Sequence, residues 1–174
     1  FMIPLSLGIA ATVRTGHGIG LKSPEMVRRT ARAALALSLA AAFITAVVTI
    51  TLRGPIAVMY NKDPAVFALA THLLLYAAAY QWTDAFQVVS VGILRGYNDT
   101  RAIFFITLVA YWLIALPLGC VLGRTSLLGD PRGPAGFWIA FIVGISTAAV
   151  LLAGRLRVLE RRFAANPSAA SLPR

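Results

Sequence analysis

Residues 65–94 read AVFALATHLLLYAAAYQWTDAFQVVSVGIL, and Asp84 is the only formally charged side chain among them. The run exceeds the roughly 20 residues that carry a helix across about 30 Å of hydrocarbon. It is rich in Ala and Leu and lacks the period-two alternation of a membrane strand, so it predicts a transmembrane helix. A carboxylate at that depth costs about 2.5–3.5 kcal/mol to insert. Its presence therefore demands a partner or a task.

The same physics extends outward from this stretch. The chain is 59% hydrophobic and only 13% charged, with a mean hydropathy of +0.78, which sets it apart from water-soluble domains. Residues 33–52, 102–123 and 135–154 form three further spans, and 1–13 reads as a shortened fifth. The expected class is an all-α polytopic membrane protein forming one membrane domain. Its helices are expected at about 1–20, 28–53, 64–95, 100–123 and 135–162, followed by a disordered cytoplasmic tail at 163–174. The chain opens on Phe1 and shows no signal-peptide pattern, so it reads as the C-terminal piece of a longer protein. Cys120, the single cysteine, reads as a small packing residue.

A net charge of +10 could suggest nucleic acid, but the basic residues are scattered at helix ends rather than gathered on one face. Taking alternate connections, Arg14, Lys22, Arg28, Arg29, Arg32, Arg95, Arg101, Arg155, Arg157, Arg161, Arg162 and Arg174 share one side, against Arg53, Lys62, Arg124 and Arg132 on the other. Twelve against four is a positive-inside bias that puts the first group, and the C-terminus, in the cytoplasm.

The connections carry their own signals. Gly16, Gly18 and Gly20 end the first helix, and Ser23-Pro24-Glu25 has the pattern of a cap and first turn. The glycine run lacks the Lys-Ser/Thr of a phosphate loop. Arg53-Gly54-Pro55 breaks the second helix, leaving 56–63 as an outer connection. Asp63-Pro64 reads as the start of the long third helix. Along it, Tyr80, Gln81, Asp84 and Gln87 recur at helical spacing and predict one polar face turned into the protein. In the turn Leu94–Arg101, Gly96 reads as a C-cap and Asp99 as an N-cap, while Arg95 and Asp99 are expected to stabilise the turn together. Pro117 crowds the carbonyl of Leu113 and predicts a kink. Turn residues fill 124–134, and Trp138 takes an interfacial position.

Several of these stretches, Asp84-Ala-Phe-Gln-Val-Val, Gly92-Ile-Leu-Arg-Gly-Tyr-Asn-Asp-Thr-Arg101, Tyr111-Trp112 and Leu116-Pro-Leu-Gly119, resemble the tenth and eleventh helices of MATE multidrug extrusion transporters, nearest the bacterial NorM-type branch. Met2-Ile-Pro-Leu and Val13-Arg-Thr-Gly-His17 resemble the eighth helix of that family, so the resemblance covers nearly the whole chain. It implies most of the second of two six-helix bundles, with the remaining N-terminal portion as partner. It also implies a bacterial inner-membrane antiporter exchanging sodium ions or protons for organic cations, with no other cofactor. In that family a carboxylate on the tenth helix couples the ion, and the match falls on Asp84, with Tyr80 one turn earlier near the site. The family pattern places an acidic residue on a seventh helix, which no residue here matches.

Packing alone explains Asp84 poorly, because an interhelical polar contact contributes only about 0.6 kcal/mol. Tyr80 and Gln81 read either as ion-site support or as groups that simply satisfy the carboxylate, and Gln87 as structural. Trp82 and Trp112 could stack on cationic compounds, with lipid contact or core packing as the simpler account. His72 has no companion at ligand spacing, so beyond sodium at Asp84 no metal is expected. A lipid-linked saccharide flippase would share the architecture but line its cavity with cations. A membrane-embedded enzyme would need a nucleophile and base facing each other, and no such pair is evident.

Overall fold

The structure, a computed structural model, describes residues 1–60, 63–125 and 133–168. Among them every regular element is helical. Helix α1 (Met2–Gly20) leads through a short turn into α2 (Pro24–Thr51). Lys22 adopts the left-handed region (φ 53°) there, so the chain reverses at a lysine rather than at the preceding glycines. Ser23 accepts from the Met26 amide at 3.3 Å and Pro24 occupies the first turn, which starts α2 earlier than the expected residue 28.

After Leu52 the chain does not open into a loop. Arg53–Tyr60 forms a short helix, α3, with Ala57 buried. Proline at the third position of this helix lies in the first turn, where its missing N–H has no helical partner to lose, so Arg53-Gly54-Pro55 starts a helix as it ends one. Asp63 caps α4 (Pro64–Gly96) by accepting from Ala65 and Val66 amides. At 33 residues, α4 extends about 50 Å, beyond the hydrocarbon thickness.

The next span is continuous over Thr100–Arg124 but not uniform. It runs as α5 (Thr100–Leu108), a π-helical segment (Val109–Ala115) and α6 (Leu116–Arg124). Pro117 therefore appears in a span with widened turns where a simple kink was expected. The proline ring displaces the Leu113 carbonyl and supplies no N–H, and a π segment accommodates such a fault in the ladder. Cys120 is exposed rather than packed. Helix α7 (Pro134–Ala165) completes the bundle, running past the expected end at 162 and into the stretch expected as tail. Lys62, Arg132, Arg174, the turn residues 126–132 and the tail 169–174 lie outside the described residues.

Among the described residues, four helical stretches are long and apolar enough to cross a membrane: Pro24–Thr51, Pro64–Gly96, Thr100–Arg124 and Pro134–Ala165. Helix α4 is central, with α1, α2 and α7 packed around it. Its buried residues all lie from Ala78 onward, so the bundle closes around its C-terminal half. Val27, Val89, Ile93, Leu94, Leu152 and Phe163 form the core there. Small residues allow this approach. A Cβ on Gly92 would stand 2.3 Å from the Gly8 carbonyl oxygen, and Thr12 Oγ1 donates to the Gly92 carbonyl at 2.7 Å. Outward-facing Phe43, Phe104, Phe105, Leu113 and Val150 are exposed, as expected of a surface that meets lipid or further protein.

Candidate functional site

Asp84 lies where the packed half of α4 begins and is 7% exposed. Its Oδ1 accepts from the Tyr80 hydroxyl at 2.8 Å, a bond between neighbours one turn apart on the same helix. Among the described residues no other hydrogen bond reaches the carboxylate, and no cationic side chain pairs with it; the two ion pairs are Arg29–Glu25 and Arg155–Asp99. Asp84 therefore presents Oδ2 with no protein partner at a depth where a lone carboxylate is costly.

The wall facing Asp84 is aromatic and comes from α7 and the π-helical segment. Tyr80 stacks on Phe141 (ring centroids 5.3 Å apart, planes at 18°) and meets the edge of Trp138 at 6.2 Å. Phe141 also stacks with Tyr111 at 6.2 Å, whose hydroxyl donates to Gln87 Oε1 at 2.9 Å. Tyr80, Phe141 and Tyr111 thus form a continuous panel beside the carboxylate. Trp138, expected at the membrane interface, meets this panel through its edge-on contact with Tyr80.

The predicted polar face of α4 divides. Gln81 sits about 100° around the helix from Tyr80 and donates from Nε2 to Thr49 Oγ1 on α2 at 3.1 Å, away from Asp84. Gln87 stays on the Asp84 side but binds Tyr111, so neither glutamine touches the carboxylate. Trp82 (41% exposed) packs edge-on with Phe43, and Trp112 is 67% exposed; neither joins Asp84. His72 meets Tyr76 at 5.5 Å. Among the described residues no group of three metal-ligating side chains gathers.

The turn after α4 also departs from expectation. Gly96 is the last helical residue and the left-handed position falls at Asn98 (φ 59°). What Gly96 provides is proximity, since a Cβ there would lie 2.6 Å from Thr15 Cβ. Asp99 precedes α5 without capping it through its side chain. Its Oδ2 instead accepts from Arg155 Nε on α7 at 2.6 Å, while Arg95 is exposed. The turn is thus tied to α7, and not through an Arg95–Asp99 pair. Sequence reading had not assigned Tyr111, Phe141 or Arg155 to any site; the helical spacing of Trp138 and Phe141 on α7 was the one local signal for the panel.

These features define a polytopic all-α membrane bundle with a buried acidic side chain, Asp84, that has no cationic partner among the described residues. A model of the MatE family matches residues 1–121, and the chain belongs to that family. It is 51% identical over 162 residues to the multidrug resistance protein MdtK of Edwardsiella ictaluri, covering 93% of this chain and 35% of that protein. With MdtK of Pectobacterium atrosepticum it shares 48% identity over 165 residues, 95% of this chain and 36% of that one. The fold matches the crystal structure of the eukaryotic MATE transporter AtDTX14 with a TM-score of 0.80 at 23% identity, covering 94% of this chain and 36% of that one. The chain thus spans about a third of the length of the relatives it matches.

Proposed function

We propose that this chain is the carboxylate-bearing part of a multidrug efflux antiporter of the bacterial inner membrane, exchanging sodium ions or protons for organic cations. The observation that carries the reading is Asp84: buried, free of any cationic partner among the described residues, and held by a single Tyr80 hydrogen bond. Family membership supports it, as do the names of the bacterial relatives. The positive-inside bias supports a cytoplasmic C-terminus.

One negative charge can be neutralised by only one cation at a time, so a coupling ion at the free Oδ2 and an organic cation beside the panel compete. The π-faces of Tyr80, Phe141 and Tyr111 suit the organic cation, and competition converts an ion gradient into expulsion of the compound. Exchange of one monovalent coupling ion for one monovalent organic cation moves no net charge, so the ion's concentration gradient drives expulsion, each tenfold step contributing about 1.4 kcal/mol. The remainder of the protein supplies the other wall of the path. The flippase reading has no cationic lining near Asp84 to support it, and for an enzyme no hydroxyl or thiol among the described residues hydrogen-bonds a histidine base.

The test is Asp84→Asn in the full-length protein. Asn preserves shape and hydrogen bonding but cannot ionise. In proteoliposomes under an imposed sodium or proton gradient, efflux of an organic cation should drop to the level of empty vesicles while the protein remains folded by circular dichroism. Wild-type efflux from the folded variant would refute the assignment.

A further inference from the structure

A groove of about 590 Å³ lies between α1 and α2, lined by none of the residues of the Asp84 site. That volume suits a small ligand, typically about 300–1,000 Å³, better than a whole covering helix. The groove has two chemically distinct ends. Toward the middle of the helices, Leu7, Ala11, Ala34 and Leu37 present an apolar slot; toward the α1–α2 turn stand Arg14, Arg29, Ser23 and Thr30.

The polar end is incompletely satisfied. Arg29 pairs with Glu25, which removes the one carboxylate lining that end and leaves the Arg14 guanidinium without an ion-pair partner among the described residues. Thr30 is 7% exposed, and none of the hydrogen bonds of the described residues involves its hydroxyl. Its oxygen is not sealed from solvent, so the hydroxyl opens onto the groove and can donate to a ligand oxygen there. Arg14 stands about two turns above the end of α1, and Pro24 to Leu37 rises roughly 20 Å. The groove thus passes from headgroup depth into the acyl region. A guanidinium and a hydroxyl above a greasy slot match a phosphodiester joined to a hydrocarbon chain.

We infer that the α1–α2 groove binds an anionic phospholipid, its phosphate held by Arg14 and Thr30 and one acyl chain lying along the slot. The inference rests on burial of the bundle in a bilayer and is independent of the role given to Asp84, so either can fail alone. Native mass spectrometry of the detergent-purified full-length protein, titrated with phosphatidylglycerol or phosphatidylcholine, tests it. Wild type should retain phosphatidylglycerol preferentially. Arg14→Gln should weaken that binding about tenfold and Thr30→Val about fivefold, the losses expected for a charge-assisted and a neutral hydrogen bond. Arg101→Gln, an exposed cation at the same end but outside the groove, should leave it unchanged, and Ala33→Trp should obstruct the slot and weaken it. Equal retention by Arg14→Gln and wild type would overturn the inference. So would equal weakening by Arg101→Gln, which marks diffuse attraction, equal binding of phosphatidylcholine, or displacement by millimolar inorganic phosphate, which marks a free-anion site.

Discussion

Replacing Gly92 by Ala tests whether contact between α1 and α4 holds the site together. The added methyl would meet the Gly8 carbonyl oxygen at 2.3 Å, its carbon at 2.7 Å and Gly8 Cα at 2.8 Å, about 1 Å short of ordinary contact. All three atoms are backbone, so no side-chain rotation relieves the clash and α1 has to move as a rod. Overpacking of this kind costs about 1–3 kcal/mol. Moving α1 also stretches the Thr12 hydrogen bond to the Gly92 carbonyl, which adds about 0.6 kcal/mol. Helix propensity works the other way, favouring Ala by about 1 kcal/mol, so the net loss is about 0.6–2.6 kcal/mol. The unfolding equilibrium of the full-length protein in a dodecylsulfate titration, followed by circular dichroism, should shift about 3- to 80-fold. Gly154→Ala is the matched control, because nothing lies within 4 Å of a Cβ at that mid-helix position; it should be neutral or stabilising. If Gly92→Ala and Gly154→Ala behave alike, the close approach of α1 and α4 is not a source of stability.

Tyr80→Phe removes the only hydrogen bond to Asp84 among the described residues while keeping the stacked ring. With no donor competing for the carboxylate, the coupling-ion concentration giving half-maximal efflux in proteoliposomes should fall about tenfold, since a hydrogen bond to a charged group is worth about 1.5–3 kcal/mol; a rise would contradict the proposed competition. Arg155→Gln should destabilise the full-length protein by about 1.5–3 kcal/mol in the same dodecylsulfate titration, the lower end reflecting an arginine side chain 34% exposed. Arg95→Gln should change stability by less than about 0.5 kcal/mol, and an equal loss in both variants would restore the turn-stabilising role to Arg95.

What the sequence made legible was what local chemistry decides. Hydrocarbon thickness fixes the lengths of the spans, and Ser23-Pro24 and Asp63-Pro64 mark helix starts because the capping oxygen lies within three residues of the amides it serves. Asp84 stood out because a charge in an apolar run has few explanations. Partnership across the bundle was hidden. Asp99 finds Arg155 56 residues away, whereas the sequence offered Arg95 four positions off. The polar face on α4 was drawn too wide, because adjacent residues such as Tyr80 and Gln81 diverge by about 100° around a helix, and only Thr49 on α2 reveals where Gln81 goes. Proline signalled a fault in the Thr100–Arg124 span, but whether the ladder bends or widens depends on what packs against it, and here α7 does.

The π-helical segment at Val109–Ala115 works as a phase shifter. Its hydrogen bonds reach one residue further than those of an α-helix, so α6 is turned relative to where an unbroken helix from Thr100 would carry it, by an amount on the order of one residue's 100° step. In that setting Tyr111 meets Gln87 while Gly119 and Gly123 lie under the ring of Phe137, at 3.1 and 2.4 Å from their would-be Cβ atoms. A one-residue deletion inside 109–115 would return the span to α-helical winding and rotate α6 until bulkier neighbours replaced those glycines beneath Phe137. The two halves of the span are therefore free to vary in sequence only as a pair in register, and an alignment gap in this stretch should be interpreted as a rotation of one half against the other rather than a shortening of the helix.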